Sequence, residues 1–381
     1  MLKNIRVIDL TMHLSGPYCC WLLASLGADV IKVERPDGDP TRETGPFTHG
    51  ESTYFGSVNR NKRSIVIDLK SEEGKQQFTE LIKTADVLVE NFRAGVLARL
   101  GFSSEKLKTL NPKLILASIT GFGQEGSLAH RPAFDVVIQG MSGMMSITGQ
   151  RDGEPTAVGV SISDVSSGVF AALAVVAALF KRERTGQSSR VDIAMLHCQL
   201  ALLENAVGRY LNAGEIARRE GSRHPKVTPF QAYPTQDGTI VVAADGERNW
   251  QAMCKALDLE VLIHDPRFAD NTARIEHYDE LEQLLLPAFR SRTAGQALEL
   301  LLKHDVPCGP VNTIPQILSS GYIKERPVIS TVKRYDGVQF KYIASPVAAG
   351  CAHQELAAPA LGQHTDEILR ELGLRAQREA G

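Results

Sequence analysis

The stretch VGVSISDVSSGVFAALAVVAALFKRERTGQ, residues 158–187, decides how this chain is read. It sets one carboxylate, Asp164, ahead of a run of small residues, Gly168–Phe180, that reads as a buried helix. The run is apolar almost all round, so it is expected to pack against protein on most sides. Counted from Val165 to Phe180 it is 16 residues, short of the roughly 20 needed to span a bilayer. Lys181, Arg182 and Arg184 then bring cations to the helix C-terminus, where the dipole favours them. Asp164 has two readings at this point. It is an N-cap, which local spacing alone favours, or it is a nucleophilic carboxylate held where helix amides meet a cleft.

Outward from this stretch, the chain before it alternates strand and helix. Ile5–Leu10 is a nearly continuous apolar run and reads as a first strand. A helix follows from Ser15-Gly16-Pro17, with Pro17 near N1 where its missing N–H costs nothing, and ends at Gly27. Asp29–Glu34 is the next strand, and residues 35–40 (RPDGDP) must be loop. Strand, helix and strand follow at Ser64–Leu69, Glu72–Thr84 and Val87–Glu90. In that helix Phe78, Leu81, Ile82 and Ala85 recur at i, i+3, i+4 and i+7. A short helix, Ser103–Leu110, leads to the strand Leu114–Ile119. This alternation predicts a parallel α/β sheet with right-handed crossovers. Residues 121–126 (GFGQEG) match GxGxxG, but Pro132 interrupts any helix after them and no acidic residue ends a next strand at the usual distance. The glycines read instead as a tight loop with positive φ.

Beyond the opening stretch, Arg190–Met195 reads as one more strand, feeding a helix over Leu196–Ala213. Residues 218–234 turn polar and carry Pro225, Pro229 and Pro234, which suggests a linker. A strand at Thr239–Ala244 and helices near 248–257, 278–291 and 293–304 make a smaller α+β unit. Residues 328–344 are extended, and Gln363–Leu374 is a last amphipathic helix. The domains read as a large one, residues 1–200 and 330–381, and a small one, 225–320, with linkers at 201–224 and 321–329.

The 381 residues allow two domains or one domain with a large insertion. A net charge of −2 argues against nucleic acid or an anionic membrane as partner. Cys19, Cys20, Cys198, Cys254, Cys308 and Cys351 form no CxxC pair, which fits a reducing compartment. MLKNIRVIDLT runs straight into a strand with no signal-peptide core, so a soluble, cytoplasmic protein is expected.

Several stretches together closely resemble the class III coenzyme A transferases, the CaiB/BaiF family that includes formyl-CoA transferase and carnitine CoA-transferase. They are SGPYCCWLLASLGADVIKVERPDGDPTR (15–42), NRNKRSIVIDLK (59–70), ADVLVENFRAGVLARLG (85–101) and RPAFDVVIQGMSGMMSITG (131–149), with DPRF (265–268), VPCGPVNT (306–313) and LGQHT (361–365). The phrases SVNRNK, ITGFGQ, VTPFQAY and VPCGPVN look most like the branch acting on short dicarboxylates such as succinate, glutarate or oxalate. The resemblance implies a Rossmann-like large domain built from both chain ends, a small α+β domain between, and two subunits interlocked as a homodimer.

It also implies that Asp164 is the catalytic aspartate, because Ser161-x-x-Asp164-x-x-x-Gly168 stands where the family pattern places it. Coenzyme A, as acyl-CoA substrate, is implied, with a carboxylic acid as second substrate and no metal. By position, His13, Leu14 and Ser15 would meet the pantetheine and adenine portions. Arg35, Lys70 and Arg99 match basic positions around adenine and phosphates, and Ile67, Asn91, Phe92, Arg93, Phe134 and Met195 match neighbouring contacts. A ligand with roughly four negative charges gives the need for such cations. Arg42, His49 and Tyr54 are candidates to read the acceptor's distal carboxylate.

The formyl-CoA branch has a glycine run where this chain has Asp245-Gly246-Glu247-Arg248, and a substrate-contacting glutamine where it has Leu14. An α-methylacyl-CoA racemase-like enzyme is the alternative, but it needs a histidine immediately before the Asp of the R-P-A-x-D stretch, and here that residue is Phe134. A CoA-binding protein without turnover is the reading from another class, and an intact Asp164 argues against it.

Overall fold

The computed structural model describes residues 1–326, 328–348 and 355–374. Six strands form one parallel sheet: β1 (Arg6–Asp9), β2 (Asp29–Glu34), β3 (Lys62–Val66), β4 (Val87–Glu90), β5 (Ile115–Thr120) and β6 (Arg190–Ala194). Their spatial order is β3-β2-β1-β4-β5-β6. This is the doubly wound order in which the chain reverses direction across the sheet between β1 and β4, and ligands bind beyond the strand C-termini at that point.

Alternation along the strands explains why both faces are covered. Val7, Val30, Val87 and Val89 face one side, where they pack with Trp21, Leu22 and Leu23 of helix α1 (Ser15–Ser25). Ile8, Ile31 and Leu88 face the other, against Phe78, Leu81 and Ile82 of α2 (Glu72–Lys83). Each such fully buried side chain contributes about 1.5–3 kcal/mol relative to exposure, and a sheet covered on both faces needs the near-continuous apolar runs seen here.

Helix α3 (Asp135–Ser142) precedes the long helix α4, which runs Ile162–Thr185, and β6 leads into α5 (Met195–Leu202) and α6 (Glu204–Ala213). At 24 residues α4 is longer than the run read from the sequence, and it is long and apolar enough to cross a membrane. The length argument from 16 residues therefore does not hold. The expectation of cover on most sides is corrected too. Gly168, Ala171, Ala172, Val175 and Ala178 are buried, while Leu173 and Phe180 are 65% and 63% exposed, in a stripe with Val169. The helix stops at Gly186, whose φ of +70° is the left-handed conformation that favours glycine.

The chain divides into two compact units: residues 1–145, 157–216 and 327–381, and residues 146–156 with 217–326. The second holds an antiparallel sheet of β7 (Phe230–Pro234), β8 (Thr239–Ala243) and β9 (Cys308–Pro310), in the order β9-β8-β7. Its core stacks Tyr233 on Phe289 at 4.2 Å around Trp250 and Phe268.

The stretches read as linkers carry regular elements. Residues 201–224 include α6, residues 321–329 include the short helix Gly321–Glu325, and β7 lies in the stretch read as linker. Pro229 and Pro234 signalled irregular chain, yet one precedes the strand and the other ends it, where a missing N–H is tolerated. The closing helix is Thr365–Glu371, with Ile368 and Leu369 buried under β3's side of the sheet. Cys351 lies outside the described residues, and the other five cysteines are free thiols.

Candidate active site

The loop from β1 to α1 is pinned at successive residues. Asp9 accepts from the Thr11 N–H at 3.0 Å and from its hydroxyl at 2.5 Å, and the Thr11 carbonyl accepts from Lys32 Nζ at 2.9 Å. Asn91 takes the Met12 N–H at 3.0 Å and donates to the Met12 carbonyl at 2.7 Å. His13, exposed, turns the chain with φ +66°, and Leu14 and Ser15 are buried at the start of α1.

Against that start lies α4. A Cβ on Gly168 would sit 2.7 Å from the Ser15 carbonyl oxygen and 3.2 Å from the Cys19 nitrogen, so only glycine allows this approach. One turn earlier on α4, Asp164 receives a hydrogen bond from Ser15.

Asp164 is not the cap of its helix. The N-cap is Ser161, which makes no side-chain cap bond. The first turn is satisfied from α3 instead: Asp135 Oδ1 accepts the Ser163 N–H at 2.7 Å and the Asp164 N–H at 3.4 Å. Gln139 holds Asp135 by donating to Oδ2 at 2.7 Å, and accepts the Val158 N–H at 2.8 Å. The Asp164 carboxylate is thus left free for chemistry. Burial first and then the neighbouring Asp135 charge push its pKa up to about 7, with the Ser15 bond working against both. Burial, and then the Asp164 charge, push the Tyr54 pKa up to about 12. Tyr54 therefore remains a proton donor.

Beyond the carboxyl ends of β1–β4 opens a cleft of about 480 Å³. Arg35, Ile67, Lys70 and Phe92 line it together, joined by Thr11, Met12 and Lys32. Arg35 is exposed and bonded to Asp37 at 2.8 Å and to the Gly38 carbonyl at 3.0 Å. Arg93 and Arg99 are exposed outside this lining. Asn91 is committed to Met12, and Met195 is buried in the core beside α4, so neither side chain faces the cleft. Phe134 is 64% exposed and packs edge-on against His13 at 5.8 Å.

Of the acceptor candidates, Tyr54 is the one whose hydroxyl feels the Asp164 charge. Arg42 is held by Glu34 through two 2.7 Å bonds, and the His49 ring packs edge-on against Phe340. Residues 121–126 form a loop with positive φ at Gly123 and Gly126, and no helix follows before Asp135.

Residues 2–365 match CoA-transferase family III. The chain belongs to that family. A succinate–glutarate CoA-transferase of Agrobacterium fabrum is 38% identical over 97% of this chain and 95% of its own length. An acetyl-CoA:oxalate CoA-transferase of Acetobacter aceti is 43% identical over 81% of this chain and 80% of its own. Among solved structures, a CaiB/BaiF family protein from Brucella suis superposes with a TM-score of 0.86 at 36% identity, covering 97% of this chain and 99% of that one.

Two acidic residues with a part in the local structure escaped sequence reasoning, and one of them, Asp135, adjoins Asp164. Asp135 sits in the quoted RPAFD phrase, but nothing local says that it caps a helix beginning 27 residues on. Glu90, buried at the end of β4, accepts the Phe92 N–H at 2.8 Å, and burial lifts its pKa to about 7. It reads in sequence as the polar end of an apolar strand.

Proposed function

We propose that this protein transfers coenzyme A from an acyl-CoA donor to a short dicarboxylic acid, with Asp164 as the covalent nucleophile. The observation that carries the reading is the Asp164 carboxylate itself: half-buried, released from capping by Asp135, and set against the start of α1 in a family III chain. A carboxylate suits the reaction because thioester energy must pass between acids without loss to water. Asp164 attacks the donor thioester carbonyl, the C–S bond breaks, and a mixed anhydride and CoA thiolate result. The thiolate attacks the aspartyl carbonyl, giving an aspartyl-CoA thioester and the free donor acid. The acceptor carboxylate then repeats both steps in reverse, and the carboxylate is regenerated. Serine or cysteine would form an acyl-enzyme but not this anhydride.

The desolvation that lifts the Asp164 pKa also leaves the ionised carboxylate a stronger nucleophile, and water excluded from the anhydride cannot hydrolyse it. Ser15 and Tyr54 are the donors placed to stabilise charge beside the reacting carbonyl. In the 480 Å³ cleft, Arg35 and Lys70 supply cations for phosphates and Ile67 and Phe92 supply apolar walls. The Agrobacterium and Acetobacter relatives, named for glutarate, succinate and oxalate, support a dicarboxylate acceptor.

An interlocked homodimer in the cytoplasm completes the reading. Its support is the exposed stripe Val169, Leu173 and Phe180, with Leu200, Tyr210 and Leu211 exposed on the helices that follow. The test is a screen of succinyl-, oxalyl- and acetyl-CoA against mono- and dicarboxylates, with product esters read by mass. Trapping with hydroxylamine during turnover should modify Asp164. A protein that forms no new CoA ester with any pair, or that is labelled on cysteine instead, overturns the proposal.

A further inference from the structure

The phrase SVNRNK, residues 57–62, has no part in the chemistry above, yet it ends in a fully buried cation. Lys62 Nζ donates to Asp9 Oδ2 at 2.8 Å, to Asn59 Oδ1 at 2.8 Å and to the Pro17 carbonyl at 3.0 Å. An ammonium has three protons, so all three are used. Asn59 is itself fixed, donating to the Phe55 carbonyl at 3.0 Å.

The two acceptors that matter lie on either side of the loop that leads to Ser15. Pro17 is in the first turn of α1, two residues past Ser15. Asp9 ends β1 and grips Thr11 through both its N–H and its hydroxyl. The fit is close, since a Cβ on Gly16 would fall 2.3 Å from the Thr11 methyl carbon. A second buried pair, Lys32 with Asp39 at 2.8 Å, faces Asp9 from β2 and holds the Thr11 carbonyl. Between Thr11 and Pro17 the backbone is therefore clamped from beneath at both ends.

We propose that Lys62 and Asp9 are positioning residues for Asp164: their ion pair fixes the loop and the first turn of α1 so that Ser15 is held against the Asp164 carboxylate. The kinetic part of this inference rests on the transferase reading, and the structural part does not. Buried ion pairs are weak evidence for stability, because well-packed apolar pairs often replace them without loss. Directional bonds to both flanks of one loop, at Asp9 and at Pro17, are what an apolar pair cannot supply.

The experiment uses the Asp9→Asn/Lys62→Met pair, which leaves neither of the two buried groups charged without the other. The carboxyl carbon of Asp164, carbon-13 labelled and assigned against Asp164→Asn, is titrated in the parent, in Ser15→Ala, in the pair variant and in all three substitutions together. The groups facing Asp164 are Asp135, Ser15 and Tyr54, and none but Ser15 is altered. Losing the Ser15 bond should raise the Asp164 midpoint, the pair variant should raise it likewise, and the triple variant should go no further. In turnover the pair variant should lose about 10- to 100-fold in kcat with KM for the CoA ester little changed, as expected for misplacement on the order of 1 Å. An unchanged midpoint in the pair variant, or a triple-variant shift equal to the sum, overturns the inference. If the pair variant does not fold, Asn59→Ala replaces it: it withdraws one Lys62 acceptor, leaves both charges paired, and is read by the same shift. Absence of CoA transfer by the parent would refute the transferase reading alone, since the titration is read without turnover.

Discussion

Asp135 accepts the backbone N–H of Ser163 at 2.7 Å and that of Asp164 at 3.4 Å, so one acidic residue caps the helix that presents the other. The arrangement does two things at once. It satisfies amides that a first-turn aspartate would otherwise compete for. It also sets a second negative charge beside Asp164, which opposes ionisation there.

Asp164→Ala should abolish transfer while CoA-ester affinity stays within a few-fold, because the carboxylate reacts with the substrate more than it holds it. Loss of covalent catalysis should lower kcat by at least ~10³-fold, about 4 kcal/mol of barrier. Steady-state rates together with equilibrium binding of a CoA ester check both halves, and activity within tenfold of the parent would sink the assignment.

The pH profile follows from the raised pKa. The attacking form is the carboxylate, so the rate should climb with pH through a midpoint near 7. Asp135→Asn keeps an acceptor for the Ser163 N–H but removes the charge, so its midpoint should lie below the parent's. The stability sign is opposite. Between the ordinary carboxylate range and pH 7 the folded chain holds a proton on Asp164 that the unfolded chain has released. This group's contribution to stability therefore falls as pH rises through that window. A profile in which Asp135→Asn leaves the midpoint unmoved would show that the two carboxylates do not interact.

Gly168→Ala should destabilise the fold, although alanine is favoured over glycine inside a helix by about 1 kcal/mol. The added Cβ would stand 2.7 Å from the Ser15 carbonyl oxygen, on backbone that cannot rotate away. α1 and α4 must then separate, and Ser15 moves off Asp164. Thermal unfolding should show a lower Tm, and kcat should drop further than KM changes. A variant of equal or higher Tm would mean that the helices have room to spare.

The fold was open to sequence reading where patterns are local, and hidden where distant residues decide. Runs such as Val30–Val33 and Val87–Val89 announce buried parallel strands by themselves. Their order in the sheet does not follow from them, because it depends on pairings such as Val7 with Val87 across 80 residues. The start of α4 is hidden in the sequence for the same reason. Its cap comes from Asp135, so the helix begins ahead of Asp164 rather than after it. Asp164 is legible through its family phrase, since spacing alone favours a cap. Among the proposed contacts, Arg35, Ile67, Lys70 and Phe92 share one cleft, whereas Met195 is core and Asn91 a backbone clip. Residue type does not distinguish an apolar wall from an apolar core.

Leu173→Glu tests assembly. Leu173 lies mid-way along the exposed stripe of α4, and a charge there would be solvated in a monomer but buried in a dimer. If that face is a subunit interface, analytical ultracentrifugation should show the parent as a dimer down to nanomolar concentration and the variant as monomer, aggregate or unfolded chain. A parent that sediments as a folded monomer removes the interlocked dimer from the reading.

The last prediction separates transfer from racemisation at the level of single atoms. In the anhydride route one oxygen of the acceptor acid is left on Asp164, and the next donor acid carries it away. An acceptor labelled with oxygen-18 in its carboxylate should therefore pass label to the donor acid over successive turnovers. Inversion at Cα would instead need two acid/base groups on opposite faces of the carbon. The position before Asp135 is held by Phe134, which cannot exchange a proton, so a chiral 2-methylacyl-CoA in deuterated water should gain no deuterium above background. Rapid Cα exchange without oxygen transfer would overturn the transferase reading. It would then direct attention to His13, whose imidazole packs edge-on against Phe134 at 5.8 Å.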